Sequence, residues 1–488
     1  MSKTRLDIFK EKNIKKIKQL KQLEIQAFPQ KSERTDTAKE ALKKDGLRVT
    51  VAGRIMAWRG HGQIQFADLV DESGKIQLVF KTDVLDKKEF KRLSFFNISD
   101  IVQASGETFT TTAGERTVLV KKYKLLTKAI RPLPNKWHGL KDIEERYRQR
   151  YVDLNLNKEA RQVFYVRTKL ISLMRQFFDK RGFLEVETPI LQPIYGGATA
   201  KPFKTHHHAL GKDFYLRVAD ELYLKRLIVG GFEKVYEIGH DFRNEGLERS
   251  RNPEFTQIEF YWAYANYEDL MKLTEELFEF LLIKINKSLK LKSNNQVFDF
   301  SPPWPRIAYK KIISEQTEID LEKIKTEESL LKEIKNRKIS LNLAGVVGYA
   351  AVLDTLFKKV VRPKLTGPLF LIDYPYELKP LAKRKADNPQ LTGTFQLLVD
   401  GHELINAYDE LNDPVDQRKR WEEEMELAKK GLAEYQLIDE DYLRALEYGM
   451  PPTAGWGLGI DRLMMILTDQ KSIKDVILFP TLKPELKL

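Results

Sequence analysis

Apolar and polar residues alternate on both sides of a basic loop between Tyr236 and Tyr261. Tyr236, Ile238 and Phe242 alternate with Glu237, Asp241 and Arg243; Thr256, Ile258 and Phe260 alternate with Phe255, Gln257, Glu259 and Tyr261. A period of two predicts a half-buried hairpin. Side chains two apart share a face of the pleat. Arg243 therefore faces one way from its strand, as Phe255, Glu259 and Tyr261 do from theirs. A cation, an aromatic plate and a carboxylate can converge on one floor. The plain alternative, a surface hairpin with a chance salt bridge, must also account for a Phe-Glu-Tyr set on the buried side.

The same reading organises the rest of the chain. Residues 1–46 predict one or two basic helices, with Ile14, Ile17, Leu20 and Leu23 recurring among lysines. They suit either a solvated helix packed on its own domain or an RNA-backbone contact. Five strand-like runs follow, Leu47–Trp58, Ile64–Val70, Lys75–Lys81, Asp100–Phe109 and Arg116–Leu126, parted by turn signals such as Asp71-Glu72-Ser73-Gly74. With no long helix among them, they predict a five-stranded Greek-key barrel of the oligonucleotide-binding type over 47–130. Arg131-Pro132-Leu133-Pro134 opens a linker, assigned to 131–155. From 156 to 488 lies a larger domain. It begins with a helix striped by Val163, Val166, Leu170, Leu173, Met174 and Phe177, and a strand ending at Pro189. Phe395–Val399 and His402–Leu411 flank Asp400-Gly401, a two-residue hairpin signal. A helix is predicted over Asp461–Leu467. The stretch of about 290–365, with Trp304 and a charged helix near Glu327–Asn336, reads as an insertion on the larger domain's sheet.

Composition narrows the class. The chain has 488 residues, 42% hydrophobic and 31% charged, with a net charge of +13 and no cysteine. Disulfides, thiolate nucleophiles and thiolate zinc sites are excluded, and a reducing compartment, the cytoplasm, is the default expectation. No apolar run reaches the roughly 20 residues of a membrane span, and the N-terminus lacks a signal-peptide core. The basic balance suits a polyanionic partner such as RNA.

Phe242-Arg243-Asn244-Glu245 before the basic loop and Pro253-Glu254-Phe255 after it resemble motif 2 of the class II aminoacyl-tRNA synthetases. The resemblance implies that Arg243 holds both the substrate carboxylate and the α-phosphate of ATP while adenine stacks on Phe255. A planar guanidinium can bind two anions in fixed geometry. Glu245, Arg251 and Asn252 fall in the same ATP-binding stretch. Gly455-Trp456-Gly457-Leu458-Gly459-Ile460-Asp461-Arg462 is similar to motif 3 of that family. Arg462 would stack opposite Phe255 and meet the γ-phosphate, with Gly457 and Gly459 admitting the nucleotide. A dinucleotide fingerprint fits poorly, because the final glycine spacing is missing and Pro451-Pro452 stands where an apolar strand should be. No GxxxxGK[ST], HIGH or KMSKS sequence occurs. The 163–189 helix and strand look like motif 1, which implies a homodimer. The implied fold class is α+β, an antiparallel-sheet class II catalytic domain with helices, preceded by the barrel.

The barrel is similar to the anticodon-binding domain of the aspartate, asparagine and lysine synthetases. By that resemblance Phe66 stacks an anticodon base and Arg54, Gln77 and Glu115 hydrogen-bond to it; Phe66 as plain barrel core is the bland alternative. His402-Glu403-Leu404-Ile405-Asn406-Ala407-Tyr408-Asp409-Glu410-Leu411-Asn412-Asp413 resembles the lysyl-tRNA synthetases. It implies that Glu259, Tyr261 and Glu410 receive the ε-ammonium of lysine. Arg243 and Asn406 would hold its carboxylate, Glu221 and the Gly197 carbonyl its α-amine, and Tyr408 its aliphatic stem. ATP as substrate, Mg2+, L-lysine and tRNA(Lys) follow as partners. Three rivals stand beside this reading: a paralogue that modifies a translation factor, an aspartate or asparagine enzyme, and a catalytically inactive tRNA-binding regulator.

Two departures from the family matter. Gln396 stands where a second metal-binding acid is usual, leaving Glu403 as the charged ligand for Mg2+ and Gln396 with only a neutral oxygen. Arg251 replaces a histidine. Strict alternation also puts Glu403 opposite in face to Asn406, so both reach one site only across a bulge. His206-His207-His208 invites a metal reading, but consecutive residues of an extended chain point in alternating directions.

Overall fold

The alternating runs after residue 47 close into a barrel. In the computed structural model, which describes residues 3–134, 140, 142–430 and 435–485, five strands form it: β1 (Arg48–His61), β2 (Ile64–Val70), β3 (Lys75–Lys81), β4 (Ile101–Thr110) and β5 (Arg116–Thr127). Their order is β1-β2-β3-β5-β4, closed, with only β3 and β5 parallel. Val51, Ile55, Ala67, Leu69, Leu78 and Val118 fill it. The 1–46 stretch, read as basic helices that either pack on their own domain or meet RNA, belongs to this unit. Helix α1 (Arg5–Gln22), closed by a Thr4/Asp7 capping box, and α2 (Ala38–Leu42) contribute Leu20, Ala38 and Ala41 to the barrel core. Only part of the expected stripe is covered, since Ile14 and Leu23 remain 43% and 44% exposed.

The chain divides into two compact units, 1–141 and 142–488. The expected linker over 131–155 falls partly on residues 135–139 and 141, outside the described set. From Asp142 onward it is part of the second unit. Arg150, 1% exposed, ion-pairs with Asp153 and donates to the carbonyls of Leu478 and Lys474 at 3.1 and 2.7 Å.

An eight-stranded sheet is the frame of that unit. Its strands in chain order are β6 (Leu184–Glu185), β7 (Lys234–Phe242), β8 (Glu254–Ala263), β9 (Arg306–Ala308), β10 (Leu369–Pro375), β11 (Leu391–Val399), β12 (His402–Asp409) and β13 (Thr453–Gly459). They lie in the order β9-β10-β11-β12-β13-β8-β7-β6, antiparallel except at the two edge pairs. Helices α3 (Lys158–Asp179) and α5 (Tyr267–Asn286) bury their apolar stripes against one sheet face through Phe178, Phe260, Phe278 and Trp456. The opposite alternation set is thereby left for the site. In the 290–365 stretch β9 joins the sheet edge, and three short helices, among them Glu327–Asn336, share a core with Leu371, Tyr374 and Leu398. Among the described residues no helix is long and apolar enough to cross a membrane.

Candidate active site

Three adjacent strands make the floor. Glu259 pairs with Gly457 and Tyr261 with Gly455 across β8 and β13, while Asn406 pairs with Gly457 and Tyr408 with Gly455 across β12 and β13. Directly opposed residues share a face, so Glu259, Tyr261, Asn406 and Tyr408 converge over a strip of glycine. Gly455 is needed for room: a Cβ there would lie 2.0 Å from Glu410 Oε1 and 2.6 Å from Tyr261 Cε1. The β11–β12 turn is a two-residue one with positive φ at both Asp400 (51°) and Gly401 (68°). Gln396 opposes Asn406, but Leu398 opposes Glu403, with a register shift between. This is the bulge that Glu403 and Asn406 required.

One end of the floor is acidic. Helix α4 (Glu221–Val229) brings Glu221 and Lys225 to it. Lys225 Nζ ion-pairs with Glu221 at 2.6 Å and with Glu410, and Tyr408 OH donates to Glu221 at 2.9 Å. Burial alone would lower the Lys225 pKa, but Glu221 and Glu410 hold it well above the ordinary value. Glu259 accepts from Gln257 at 2.8 Å and from Tyr261 OH at 3.2 Å. Burial, then the charge of Asp220, pushes Glu259 well up, and burial does the same to Glu410. Gly197 abuts Glu221: a Cβ there would come within 3.1 Å of Glu221 Cβ. Nearby, Asp220 and Asp241 converge with Glu259, and Arg217 ion-pairs with both Glu237 and Asp241.

The other end is cationic. Arg243 lies over the Phe255 ring with its guanidinium carbon 5.1 Å from the centroid and donates weakly to the Val218 carbonyl at 3.4 Å. Arg462, on helix α6 (Ile460–Leu467), donates to the Glu403 carbonyl at 3.0 Å. The helix is tied to β8 because Thr256 N donates to Asp461 at 2.9 Å and Arg167 bridges Thr256 and Asp461. Burial lowers the Arg462 pKa, as do the charges of Arg243, Arg362 and Arg251, while Glu403 raises it. Arg251 pairs with Glu245 at 2.7 Å. Asn252 is engaged at both ends of its amide, donating to the Glu254 carbonyl at 2.6 Å and accepting from Thr481 N at 3.2 Å, so it braces the loop.

Glu403 stays charged: burial pushes it up, but Arg462, Lys379, Arg362 and Lys358 together hold it below the usual range. As a hard anionic oxygen donor it fits a Mg2+ ion carried by ATP. Gln396 does not fit a second one, since its neutral Oε1 already accepts from Tyr374 OH at 2.6 Å. His206 pairs with Asp213 at 2.9 Å while His207 packs on Phe214, so these two side chains take different partners.

On the barrel, Phe66 is half-buried on the outward face while Ala67 and Leu69 fill the core. Arg59 lies over its ring at 5.9 Å and donates to Asp68 at 2.8 Å. Gln77 donates to Glu115 at 2.8 Å, and Asp68 pairs with Gln77 across the strands. Arg54 is drawn aside, donating to the Ser99 carbonyl at 2.8 Å.

Residues 142–483 match the family model of class II tRNA synthetases (D, K and N), and residues 49–126 match that of the OB-fold nucleic acid binding domain. The chain belongs to the class II tRNA synthetases. The synthetase is 47% identical over 475 residues to the lysine–tRNA ligase of Carboxydothermus hydrogenoformans, covering 96% of this chain and 97% of that one. Its identity to the lysine–tRNA ligase of Syntrophomonas wolfei is 46% over 490 residues and 99% of both chains. To that of Aquifex aeolicus it is 49% over 445 residues, 90% of this chain and 74% of that one. Sequence reading of this synthetase missed Lys225, Arg217, Arg362, Lys379, Arg59 and Asp68. Only Lys225 carried a local signal, its i,i+4 spacing from Glu221.

Proposed function

We propose that this synthetase activates L-lysine with ATP and transfers it to the 3′ end of tRNA(Lys) in the cytoplasm. The observation that carries the reading is the excess of buried carboxylates at the acidic end. Glu221, Glu259 and Glu410 supply three carboxylates, and Lys225 is the ammonium ion-paired to two of them. Asp220 and Asp241 converge with Glu259, and Arg217 serves Asp241 and Glu237, so carboxylates outnumber the resident cations and this end suits a substrate bearing two ammonium groups. An aspartate side chain would add another anion to this set, and asparagine would leave a buried carboxylate unpaired; both are costly.

In this reading Glu259 and Tyr261 take the ε-ammonium and Glu410, shared with Lys225, completes its charge balance. Glu221 and the Gly197 carbonyl take the α-amine, Tyr408 flanks the stem, and Arg243 with the Asn406 amide orients the carboxylate. That carboxylate attacks the α-phosphorus in line. A carboxyl-oxygen–phosphorus bond forms, the bond to the β-phosphate oxygen breaks, and pyrophosphate leaves. A terminal ribose hydroxyl of tRNA then attacks the adenylate carbonyl, its proton passes to the departing phosphate, the acyl–oxygen bond breaks and AMP departs. No side chain need act as nucleophile; Arg243 and Arg462 stabilise charge on the phosphates, and positioning supplies the rest. Glu403 would hold Mg2+ on ATP, whose charge eases departure of pyrophosphate.

A homodimer through 163–189 is part of the proposal, supported by β6 lying at the sheet edge with Leu184, Ile190 and Leu191 exposed at 48%, 44% and 41%.

The test is amino-acid-dependent ATP–pyrophosphate exchange with lysine, aspartate and asparagine. Lysine alone should support it, and Arg243→Ala should cut it by about 10²–10³-fold with the fold unchanged. Exchange with none of the three would leave a tRNA-binding protein without activation chemistry.

A further inference from the structure

The side chain of Lys379 lies between the two ends of the site. Its Nζ donates to Asn406 Oδ1 at 2.7 Å and sits 4.6 Å from the centre of the Tyr374 ring. It feels the charges of Glu403, at the nucleotide end, and of Glu221, at the amino-acid end. The same Tyr374 donates its hydroxyl to Gln396, and Gln396 opposes Asn406 across the hairpin. At the position where an acid would call for a divalent cation, the chain thus has a neutral amide already engaged, and an ammonium stands beside it. Burial lowers the pKa of Lys379 to about 8, against the pull of Glu403 and Asp354. A cation held there without a full counter-charge is stabilised when anions arrive. Arg362, 3.9 Å from Glu403, and Lys358 add to the same field.

We propose that Lys379 is a built-in cation of the adenylation step. Its ammonium contacts the reactants where the substrate carboxylate meets the α-phosphate, in the role of a second divalent cation that Gln396 cannot hold. The proposal rests on the lysine-activating reading above. Lys379 transfers no proton: it donates hydrogen bonds to oxygens whose negative charge is redistributed as the acyl-phosphate bond forms and pyrophosphate leaves. Asn406, with its Oδ1 on Lys379, presents its Nδ2 to the carboxylate.

The test uses the full-length enzyme and reads both exchange and metal stoichiometry. Lysine-dependent exchange by the unsubstituted enzyme comes first, since its absence defeats the function itself. Given that activity, Lys379→Met should lower the exchange rate by about 10²-fold, the size of one lost electrostatic contact. It should also raise the Mg2+ concentration for half-maximal rate, whereas Lys379→Arg, which keeps the charge, should retain most of the rate. The double variant Lys379→Met/Gln396→Glu should recover rate as Mg2+ is raised. With a non-hydrolysable ATP analogue, it should bind one more Mn2+ per site than the unsubstituted enzyme, counted by the spin resonance of free Mn2+. A Lys379→Met enzyme with unchanged rate and Mg2+ dependence overturns the proposal. So does a slow one whose Mg2+ dependence is unchanged, because Lys379 would then only brace Asn406. Equal Mn2+ counts in the unsubstituted and double-variant enzymes overturn it as well.

Discussion

The ammonium of Lys225 is ion-paired to Glu410 with both side chains essentially out of water, at 0% and 1% exposure. A carboxylate in such a place is expensive unless it is matched, and the second arm of Lys225 on Glu221 matches another. The proposed amino-acid pocket therefore has a resident cation that offsets part of its negative charge.

Removing that cation should be costly. Lys225→Met leaves Glu221 and Glu410 facing each other and should destabilise the protein by about 3–5 kcal/mol, the usual penalty for breaking a buried pair from one side. Lys225→Met/Glu410→Gln should recover part of the loss, because one orphaned charge is gone. Thermal melts of the two single variants and the double give the coupling directly; simple additivity would mean that the ion pair carries no energy.

If Glu259 receives the ε-ammonium as proposed, lysine binding should depend on pH. Burial and Asp220 raise its pKa well above 4.5 in the free protein, so it tends to hold a proton. An arriving ammonium favours the charged form, so binding releases that proton and affinity should rise as pH rises through the folded pKa. Calorimetry in buffers of different ionisation enthalpy would reveal the release. Stability runs the other way. The folded form binds more protons than the unfolded one, so this group's contribution is lost as pH climbs from about 4.5 through the folded value. Glu259→Gln should melt higher than the unsubstituted enzyme at pH 8 while losing lysine binding; equal melting at both pH 5 and pH 8 would refute the raised pKa.

Strands β7 and β8 and their shared face were legible because half-buried antiparallel strands alternate strictly, and Arg243, Phe255, Glu259 and Tyr261 obey that alternation. The bulge in β12 was legible as a conflict: Glu403 and Asn406 have opposite parity, yet one site needs both. The seating of α1 and α2 was legible only as one of two readings, since lysines dominate the segment and its few core positions, Leu20, Ala38 and Ala41, are too sparse to decide for burial. Lys379 was invisible for another reason. Its meaning comes from Asn406 and Tyr374, which register and bulge bring to it, and not from any spacing along its own segment.

On the barrel, Phe66 faces outward beside Arg59, which is where an exposed base could stack. Phe66→Ala should weaken tRNA binding by about 1–3 kcal/mol, the contribution of one stacked base. It should leave the melting temperature nearly unchanged, because the ring is not core. Loss of stability without loss of tRNA affinity would restore the core reading. Gln77→Ala, by contrast, should affect both, since Gln77 also ties Glu115 to Thr117.

The packing of α1 changes how its lysines must be tested. Deleting residues 1–46 would strip Leu20, Ala38 and Ala41 from the barrel core and confound affinity with unfolding. Lys12, Lys15 and Lys18 are exposed on α1 and can be replaced by Gln without touching that core. Each phosphate contact contributes about 0.9 to the slope of log affinity against log salt on duplex RNA or DNA, and about 0.7 on single strands. If all three lysines meet the tRNA backbone, the triple variant should flatten the slope by about 2–3, with anticodon discrimination and exchange activity intact. An unchanged slope would make α1 a structural brace of the barrel, its charge serving solubility alone.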